Sequence, residues 1–256
     1  DHLMYSVDFI DDKNESETLN KASAIWTREK KDISAEQYEE FYKQIGAGFD
    51  KPLLTLHNKV EGTLSYINLL FIPGSRPFDL FQMDVKSKIK LYSNRVLITD
   101  DSESILPRWL RFVKGIVDTS DVDLNVSREM LQHNVTLNKI SKALKKRVIN
   151  ELKKLKDKDT DKYQSFWNEF GIVLKEGIYE DFDLKTELLE LSKFQSMNED
   201  KPVFLSDYIE KMNAEQKDIY YLAAENKDMA EGSPHLEVFK KKKLDVLFLT
   251  DPIDTF

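Results

Sequence analysis

Arg128 and Gln132 are the pair of side chains whose spacing best suits chemistry on a phosphate group. They lie four residues apart in LNVSREMLQ, so a helix that begins near Ser127 would project both from one face. Ser127 could cap that helix, and its free N–H groups would add to the guanidinium and the amide as phosphate donors. Taken alone, however, the residues favour a structural alternative, in which Arg128 pairs with Asp121 or Asp123.

Other common kinds of site have no matching pattern. The chain of 256 residues has no cysteine, which excludes disulfides, thiolate metal sites and thiol nucleophiles. Its four histidines are scattered and form no HExxH, so we expect no metal site. GxxxxGK[ST] and GxSxG are also absent. The net charge of -8 argues against a nucleic-acid partner, and the longest apolar runs fall far short of the roughly 20 residues that span a membrane.

The elements that must position Arg128 follow from periodicity. A helix is predicted from Ser34 to Gly46. Ser34 would be its N-cap, Gln37 takes the capping-box position, and Gly46 would terminate it. Residues 63–73 and 89–101 are rich in β-branched and aromatic residues, and each predicts a strand. Residues 105–118 have apolar positions that suit a short helix. Residues 78–88 are expected to form a loop or a short helix.

The second half of the sequence is predicted to begin with helices. An apolar stripe from Thr136 predicts a long helix, whose residues up to Lys158 include nine basic and two acidic ones. Such a basic face is usually solvated, although it could bind acidic partners. Further helices are predicted at 161–177, 183–194, 205–212 and 234–242, and strands at 218–224 and 244–251. The last strand, helix and strand imply a parallel βαβ unit with a right-handed crossover. The chain is therefore expected to hold two α/β parts joined by helices.

The first residues, DHLMYSVDFI, include no initiator methionine at position 1 and no basic segment followed by an apolar one. We therefore expect the chain to be a fragment of a longer protein.

Six stretches of the chain closely resemble the middle segment of the ninety-kilodalton heat-shock chaperone family. They are AIWTREKKDISAEQYEEFYKQI, LSYINLLFIPGSRPFDLF, IKLYSNRVLITDD, LPRWLRFVKGIVDTSDVDLNVSREMLQ, YYLAAENKDMAEGSPHLEVFKKK and LDVLFLTDPIDTF. They follow one another in the order of the family and cover nearly the whole chain. The sequence NVSREMLQHN is more similar to the bacterial branch of the family than to the eukaryotic cytosolic branch.

The resemblance implies an α/β fold in three parts: a large three-layer α/β/α subdomain over 1–135, a helical connector over 136–195 and a smaller α/β/α subdomain over 196–256. It also implies a cytoplasmic, ATP-dependent chaperone that is a homodimer at full length. The expected partners are its own N-terminal nucleotide-binding domain, its C-terminal dimerisation domain, unfolded clients and co-chaperones. Because the family dimerises through the C-terminal domain, we expect the present chain to be a monomer.

The resemblance also assigns roles to particular residues. Arg128 falls on the family's catalytic arginine, which contacts the γ-phosphate of ATP, and Gln132 falls on its companion glutamine. ATP and Mg²⁺ are implied for the full-length protein, and the chain alone is expected to bind and hydrolyse no nucleotide. Phe49 stands where relatives commonly carry tryptophan and Phe256 where an aromatic residue is usual, and both are candidate client-binding residues, although either could be ordinary core. Residues 82–88 are a further candidate contact. The alternative function is a passive protein-binding scaffold with a structural Arg128.

Overall fold

The computed structural model describes residues 8–10, 16–18, 24–48, 50–82, 85, 87–100, 105–122, 131, 134–213 and 216–255. They form a mixed α/β fold, which confirms the predicted class. Contacts between Cα atoms divide the chain into two compact units, Asp1–Pro107 with Val113–Ala143 and Arg108–Phe112 with Leu144–Phe256. The predicted boundary at 195 falls inside the second unit, and the division into three parts stays a prediction.

The first unit is built around a five-stranded sheet with the strand order β3-β4-β7-β5-β6. Strand β7 lies at the centre, antiparallel to β4 and parallel to β5, and all six of its residues are buried. A short antiparallel pair, β1 and β2, precedes this sheet. The strands are β1 (Asp8–Ile10), β2 (Ser16–Thr18), β3 (Leu54–Val60), β4 (Tyr66–Ile72), β5 (Lys88–Ser93), β6 (Val96–Thr99) and β7 (Lys114–Thr119).

Helix α1 (Ala35–Gln44) forms as its capping signals predict. The Ser34 hydroxyl accepts from the Gln37 N–H, and the Gln37 side chain accepts from the Ser34 N–H, so the capping box is complete. Gly46 follows the helix with a φ of +70°, the left-handed conformation that suits glycine at this position. The helix buries Tyr42, whose ring lies 5.4 Å from that of Phe71 on β4.

Two predictions for the first unit are wrong. Residues 105–118 do not form a helix: a 3-10 turn at Arg108–Leu110 is followed by strand β7. Because β7 is buried on both faces, its residues do not alternate between apolar and polar, and their spacing imitates a helix. Residues 89–101 form a hairpin, β5 and β6, since Asn94 and Arg95 take positive φ angles of 49° and 68° in a tight turn.

The helices of the second unit surround an aromatic core. They are α2 (Val135–Lys158), which begins in the first unit, α3 (Thr160–Glu180) and α4 (Lys185–Leu191), and they confirm the predicted helical middle. The rings of Phe166 and Phe170 lie 5.6 Å and 5.0 Å from that of Phe112. The predicted helix over 183–194 ends early because its last two residues enter a strand.

A four-stranded sheet completes the second unit, with the strand order β10-β11-β8-β9. Strands β10 and β11 pair in parallel, which confirms the predicted pairing of the βαβ unit. Strands β8 and β9 were not predicted because they have four and two residues. The elements are β8 (Lys193–Ser196), β9 (Val203–Phe204), α5 (Leu205–Lys211), β10 (Tyr221–Ala223), α6 (Lys227–Glu231), α7 (Leu236–Lys242) and β11 (Leu247–Leu249). None of the helices in the described parts of the chain has the length and hydropathy that crossing a bilayer requires.

Candidate functional site

The four residues predicted to do chemistry or bind clients, Arg128, Gln132, Phe49 and Phe256, lie outside the described residues. Their predicted roles therefore stay predictions. The structure does describe the segments that lead into and out of residues 123–130, which we call the Arg128 loop. The candidate site is built from those segments.

The chain that enters the Arg128 loop is fixed by side-chain hydrogen bonds on both sides of β7. The Ser93 hydroxyl donates to the carbonyl oxygen of Val122 at 2.5 Å, and Val122 is itself buried. On the other side, the Thr119 hydroxyl donates to the Ser65 carbonyl at 2.8 Å. The Ser65 N–H in turn donates to the Asp121 carboxylate at 2.9 Å. The backbone is thus held by protein contacts up to the residue that precedes the loop.

Asp118 is a buried structural residue beside this segment that the sequence analysis missed. It is the buried carboxylate of β7, and it accepts hydrogen bonds from the Trp26 indole N–H at 2.9 Å and from the Arg95 backbone N–H at 3.2 Å. These bonds tie the end of β7 to the 3-10 turn at Ile25–Thr27 and to the β5–β6 hairpin turn. The sequence does contain a signal for these contacts, because Asp118 is a single acid in the apolar run GIVD. A carboxylate that is buried with such a run needs hydrogen-bond donors.

The chain that leaves the Arg128 loop is also anchored. Leu131 is buried, with 4% of its surface exposed. The Asn134 side-chain oxygen accepts from the Leu137 N–H at 3.0 Å and so caps the start of α2. The described residues on both sides of residues 123–130 are therefore fixed by burial and hydrogen bonds.

Asp121, one of the two aspartates considered as structural partners of Arg128, already has donors of its own. Besides the Ser65 N–H, it accepts from the Ser120 hydroxyl at 3.3 Å. Each oxygen of the Asp121 carboxylate thus has a donor without an arginine. Each oxygen could still accept a further hydrogen bond. The structural pairing of Arg128 stays a prediction.

His57, on β3, is a buried structural histidine and not a ligand. Its Nε2 lies 2.8 Å from the carbonyl oxygen of Trp26, to which it must donate, and its Nδ1 lies 2.8 Å from the Tyr38 hydroxyl, from which it accepts. Burial lowers the pKa of His57 below its ordinary 6.5, although the bond to the Trp26 carbonyl acts in the opposite direction. The neutral ring is therefore the favoured form. No group of three or more metal-ligating side chains occurs among the described residues.

The lowered pKa of His57 predicts a loss of stability in mild acid. Above the unfolded value of 6.5 the ring is neutral in both states, and its contribution is fully present. As the pH falls towards the folded pKa, the unfolded chain binds the proton first, so the free energy of unfolding should fall by up to about 1.4 kcal/mol per pH unit. Urea unfolding from pH 7.5 to 5 measures this slope. The His57→Gln variant should lose the part of the pH dependence that comes from His57. A slope equal to that of the unchanged protein would contradict the lowered pKa of His57.

A buried ion cluster fixes the last described segment of the second unit. Lys175, on α3, is 2% exposed, and its Nζ lies 2.7 Å from an Asp251 oxygen and 2.9 Å and 3.0 Å from the two Asp254 oxygens. The same Nζ lies 4.3 Å from the centre of the Phe194 ring. The sequence analysis missed this lysine. Its position next to Val173 and Leu174, on an apolar helix face, could have indicated a buried charge with acidic partners. The cluster anchors the segment that leads to Phe256.

Removal of the Lys175 ammonium should destabilise the chain, because Asp254 would stay buried without its cation. We expect Lys175→Met to lower the free energy of unfolding by about 2 kcal/mol, a value reduced for the partial exposure of Asp251. Urea unfolding measures it. Lys240→Met, which removes an exposed lysine, should cost under about 0.5 kcal/mol. Adding Asp254→Asn to Lys175→Met should recover part of the loss, and no recovery would show that the lysine acts through packing alone.

Much of the basic face of α2 is used within the second unit. Lys145 pairs with Asp181 at 2.5 Å, Lys153 with Glu190 at 2.8 Å and Lys154 with Glu151 at 3.0 Å. These contacts agree with the interpretation of the lysine run as a structural and solvated face.

The family model described as "Hsp90 protein" matches residues 8–256. The chain belongs to the Hsp90 family. Its curated relatives include the chaperone protein HtpG of Paramagnetospirillum magneticum, 51% identical over 256 residues, and that of Orientia tsutsugamushi, 44% identical over 256 residues. Each alignment covers 100% of this chain and 41% of the relative, so the chain spans about two fifths of the length of these proteins. These relatives confirm the predicted resemblance to the bacterial branch.

The fold of this Hsp90-family chain is similar to a solved structure of the middle domain of a heat shock protein from Plasmodium falciparum. The TM-score is 0.81 with 38% sequence identity, and the match covers 91% of this chain and 92% of that one. The chain is therefore the middle segment of a longer HtpG-type chaperone.

Proposed function

We propose that this segment completes the ATPase site of a chaperone by supplying Arg128 to the γ-phosphate of ATP bound by an N-terminal domain. The observation that carries the proposal is that the family model matches residues 8–256, a range that includes Arg128 and Gln132. The anchored ends of the loop support it, because a side chain that acts in a transition state must start from a fixed backbone.

The chemical role of Arg128 follows from its guanidinium group. Its planar fork donates two parallel hydrogen bonds to phosphate oxygens, and its charge offsets the negative charge that develops during phosphoryl transfer. Gln132, four residues further along the sequence, would donate its amide to the same group. The ATP, its Mg²⁺ and the attacking water would be held by the N-terminal domain, so this chain alone should turn over no ATP.

The proposed client-binding role rests on Phe49 and Phe256. Aromatic side chains offer a large apolar surface with few rotatable bonds, which suits contact with unfolded chains. The Lys175 cluster supports the role of Phe256, because it fixes the residues just before it. At full length we propose a cytoplasmic homodimer that joins through its C-terminal domain and works with co-chaperones.

The second candidate is a passive scaffold for partner proteins, in which Arg128 is structural. It is favoured by the two nearby aspartates, Asp121 and Asp123, and disfavoured by the donors that Asp121 already has. Steady-state ATP hydrolysis by the full-length protein, with and without Arg128, separates the two candidates.

A further inference from the structure

We propose that a cavity in the first unit, lined by residues 26–31 and by the β3 residues His57 and Lys59, binds the phosphate group of a small anionic ligand. The cavity has a volume of about 300 Å³. None of the lining residues takes part in the proposed contact with ATP.

The charge of the lining favours an anion. Four cationic side chains, Arg28, Lys30, Lys31 and Lys59, line the cavity against one carboxylate, Glu29. This local excess of positive charge contrasts with the net charge of -8 of the whole chain. Because like charges held together repel, the cluster is less costly when an anion lies among them.

The partners of these cations identify which of them are available. Lys59 pairs with Glu61 at 2.6 Å, and Arg28 donates to the backbone carbonyl of Asp32. Lys30 and Lys31 form no ion pair with a described residue, and both are exposed. Adjacent side chains of the 3-10 turn at Lys30–Asp32 leave the backbone in different directions, but both lysines line the cavity, so their long side chains can reach one anion.

The wall of the cavity is rigid, which favours a site of defined shape. His57 is held from both ring nitrogens, by Tyr38 and by the Trp26 carbonyl. Trp26 is 8% exposed and is fixed by its bond to Asp118. Because His57 is neutral, the attraction for an anion comes from the lysines and the arginine alone.

The size and charge of the cavity indicate a phosphate monoester in preference to a carboxylate. A phosphate dianion neutralises the charge of two ammonium groups, whereas a carboxylate neutralises the charge of one. The volume is at the lower end of the range for small-molecule sites, which leaves room for a small organic group beside the phosphate. Free inorganic phosphate carries the same charged group as a phosphate monoester. The experiment below compares these two ligands.

The test is an NMR titration of the ¹⁵N-labelled 256-residue chain, whose extent is close to that of the solved P. falciparum middle domain. The chain has three tryptophans, and Trp26 lines the cavity, whereas Trp109 and Trp167 belong to the second unit. Inorganic phosphate and O-phosphoserine are added separately at constant ionic strength. We expect the Trp26 indole N–H signal to shift and saturate while the other two stay in place.

A matched pair of variants controls for general charge effects. Lys30→Ala/Lys31→Ala should weaken binding at least about tenfold, since each lost ammonium removes a charge-assisted hydrogen bond. Lys240→Ala/Lys241→Ala removes the same charge from exposed lysines of α7 and should leave the affinity unchanged. Lys59→Gln, a milder variant on β3, should also weaken binding.

The outcomes are distinct. Tighter binding of O-phosphoserine than of inorganic phosphate supports a monoester site, and equal binding supports a site for the free anion. A shift that does not saturate, or an equal loss in both double variants, would overturn the proposal. The titration does not involve Arg128, so its failure would leave the proposed ATPase role intact.

Discussion

Replacing Arg128 with alanine in the full-length chaperone is expected to lower steady-state ATP turnover by about 10²-fold. One donor to the developing charge of a transition state is worth about 10² to 10³ in rate, and an arginine supplied to a GTPase about 10³ to 10⁵. We choose the low end because the loop must also be brought into position. ATP affinity should change little, since the nucleotide is held by the N-terminal domain. Turnover and nucleotide binding are measured on the same samples.

Two further variants test whether the effect belongs to the guanidinium group. Arg128→Lys keeps the charge but loses the bidentate fork, so it should recover only part of the rate. Lys146→Ala removes one positive charge from an exposed position of α2 and should leave turnover unchanged. If Arg128→Ala leaves both turnover and affinity unchanged, the scaffold function replaces the ATPase role.

Gly115→Ala is expected to have the largest effect on stability, a loss of about 3 kcal/mol or more in the free energy of unfolding. Gly115 lies in the central strand β7 with a φ of +138°, a conformation that side chains rarely adopt. A Cβ there would lie 2.2 Å from the Leu69 carbonyl oxygen and 2.8 Å from the Leu70 Cα. Both obstacles are backbone atoms of the neighbouring strand β4, so the sheet itself would have to move.

Gly62 provides the matched control for Gly115. Its φ is +149°, but a Cβ added to it meets no atom within 4 Å. Gly62→Ala should therefore cost only the backbone term, about 1 kcal/mol. Urea unfolding of both variants separates the clash from the backbone conformation. Equal losses would contradict the close approach of β7 and β4.

Local signals predicted the elements that depend on local contacts. The capping box at Ser34 and Gln37 and the terminator Gly46 are satisfied within one helix, so α1 forms as predicted. Strand β7 could not be recognised locally, because its pairing with β4 and β5 and its burial on both faces depend on residues distant in the sequence. The β5–β6 turn was overlooked because Asn94 precedes an arginine in place of the usual glycine.

The family resemblance predicts roles for Arg128 and Gln132, which lie outside the described residues, whereas nothing in the sequence analysis predicted the contacts of Asp118 and Lys175. Arg128 and Gln132 come from a contiguous motif, whereas Asp118 is fixed by Trp26, 92 residues away in the sequence. Lys175 likewise meets Asp251 across 76 residues and Asp254 across 79. Periodicity does not show which residues so far apart in the sequence will meet. Each partner is a single charged residue among many, so no pattern marks the pair.

The strand order of the first sheet has a consequence for its synthesis. β3 with β4 and β5 with β6 are local hairpins, but β4 and β5 do not pair with each other: β7, the last strand made, lies between them. Until residue 119 has left the ribosome, each hairpin has an unpaired inner edge. Such edges are templates for aggregation. A nascent chain of this chaperone segment should therefore itself depend on protection by other chaperones until its central strand is inserted.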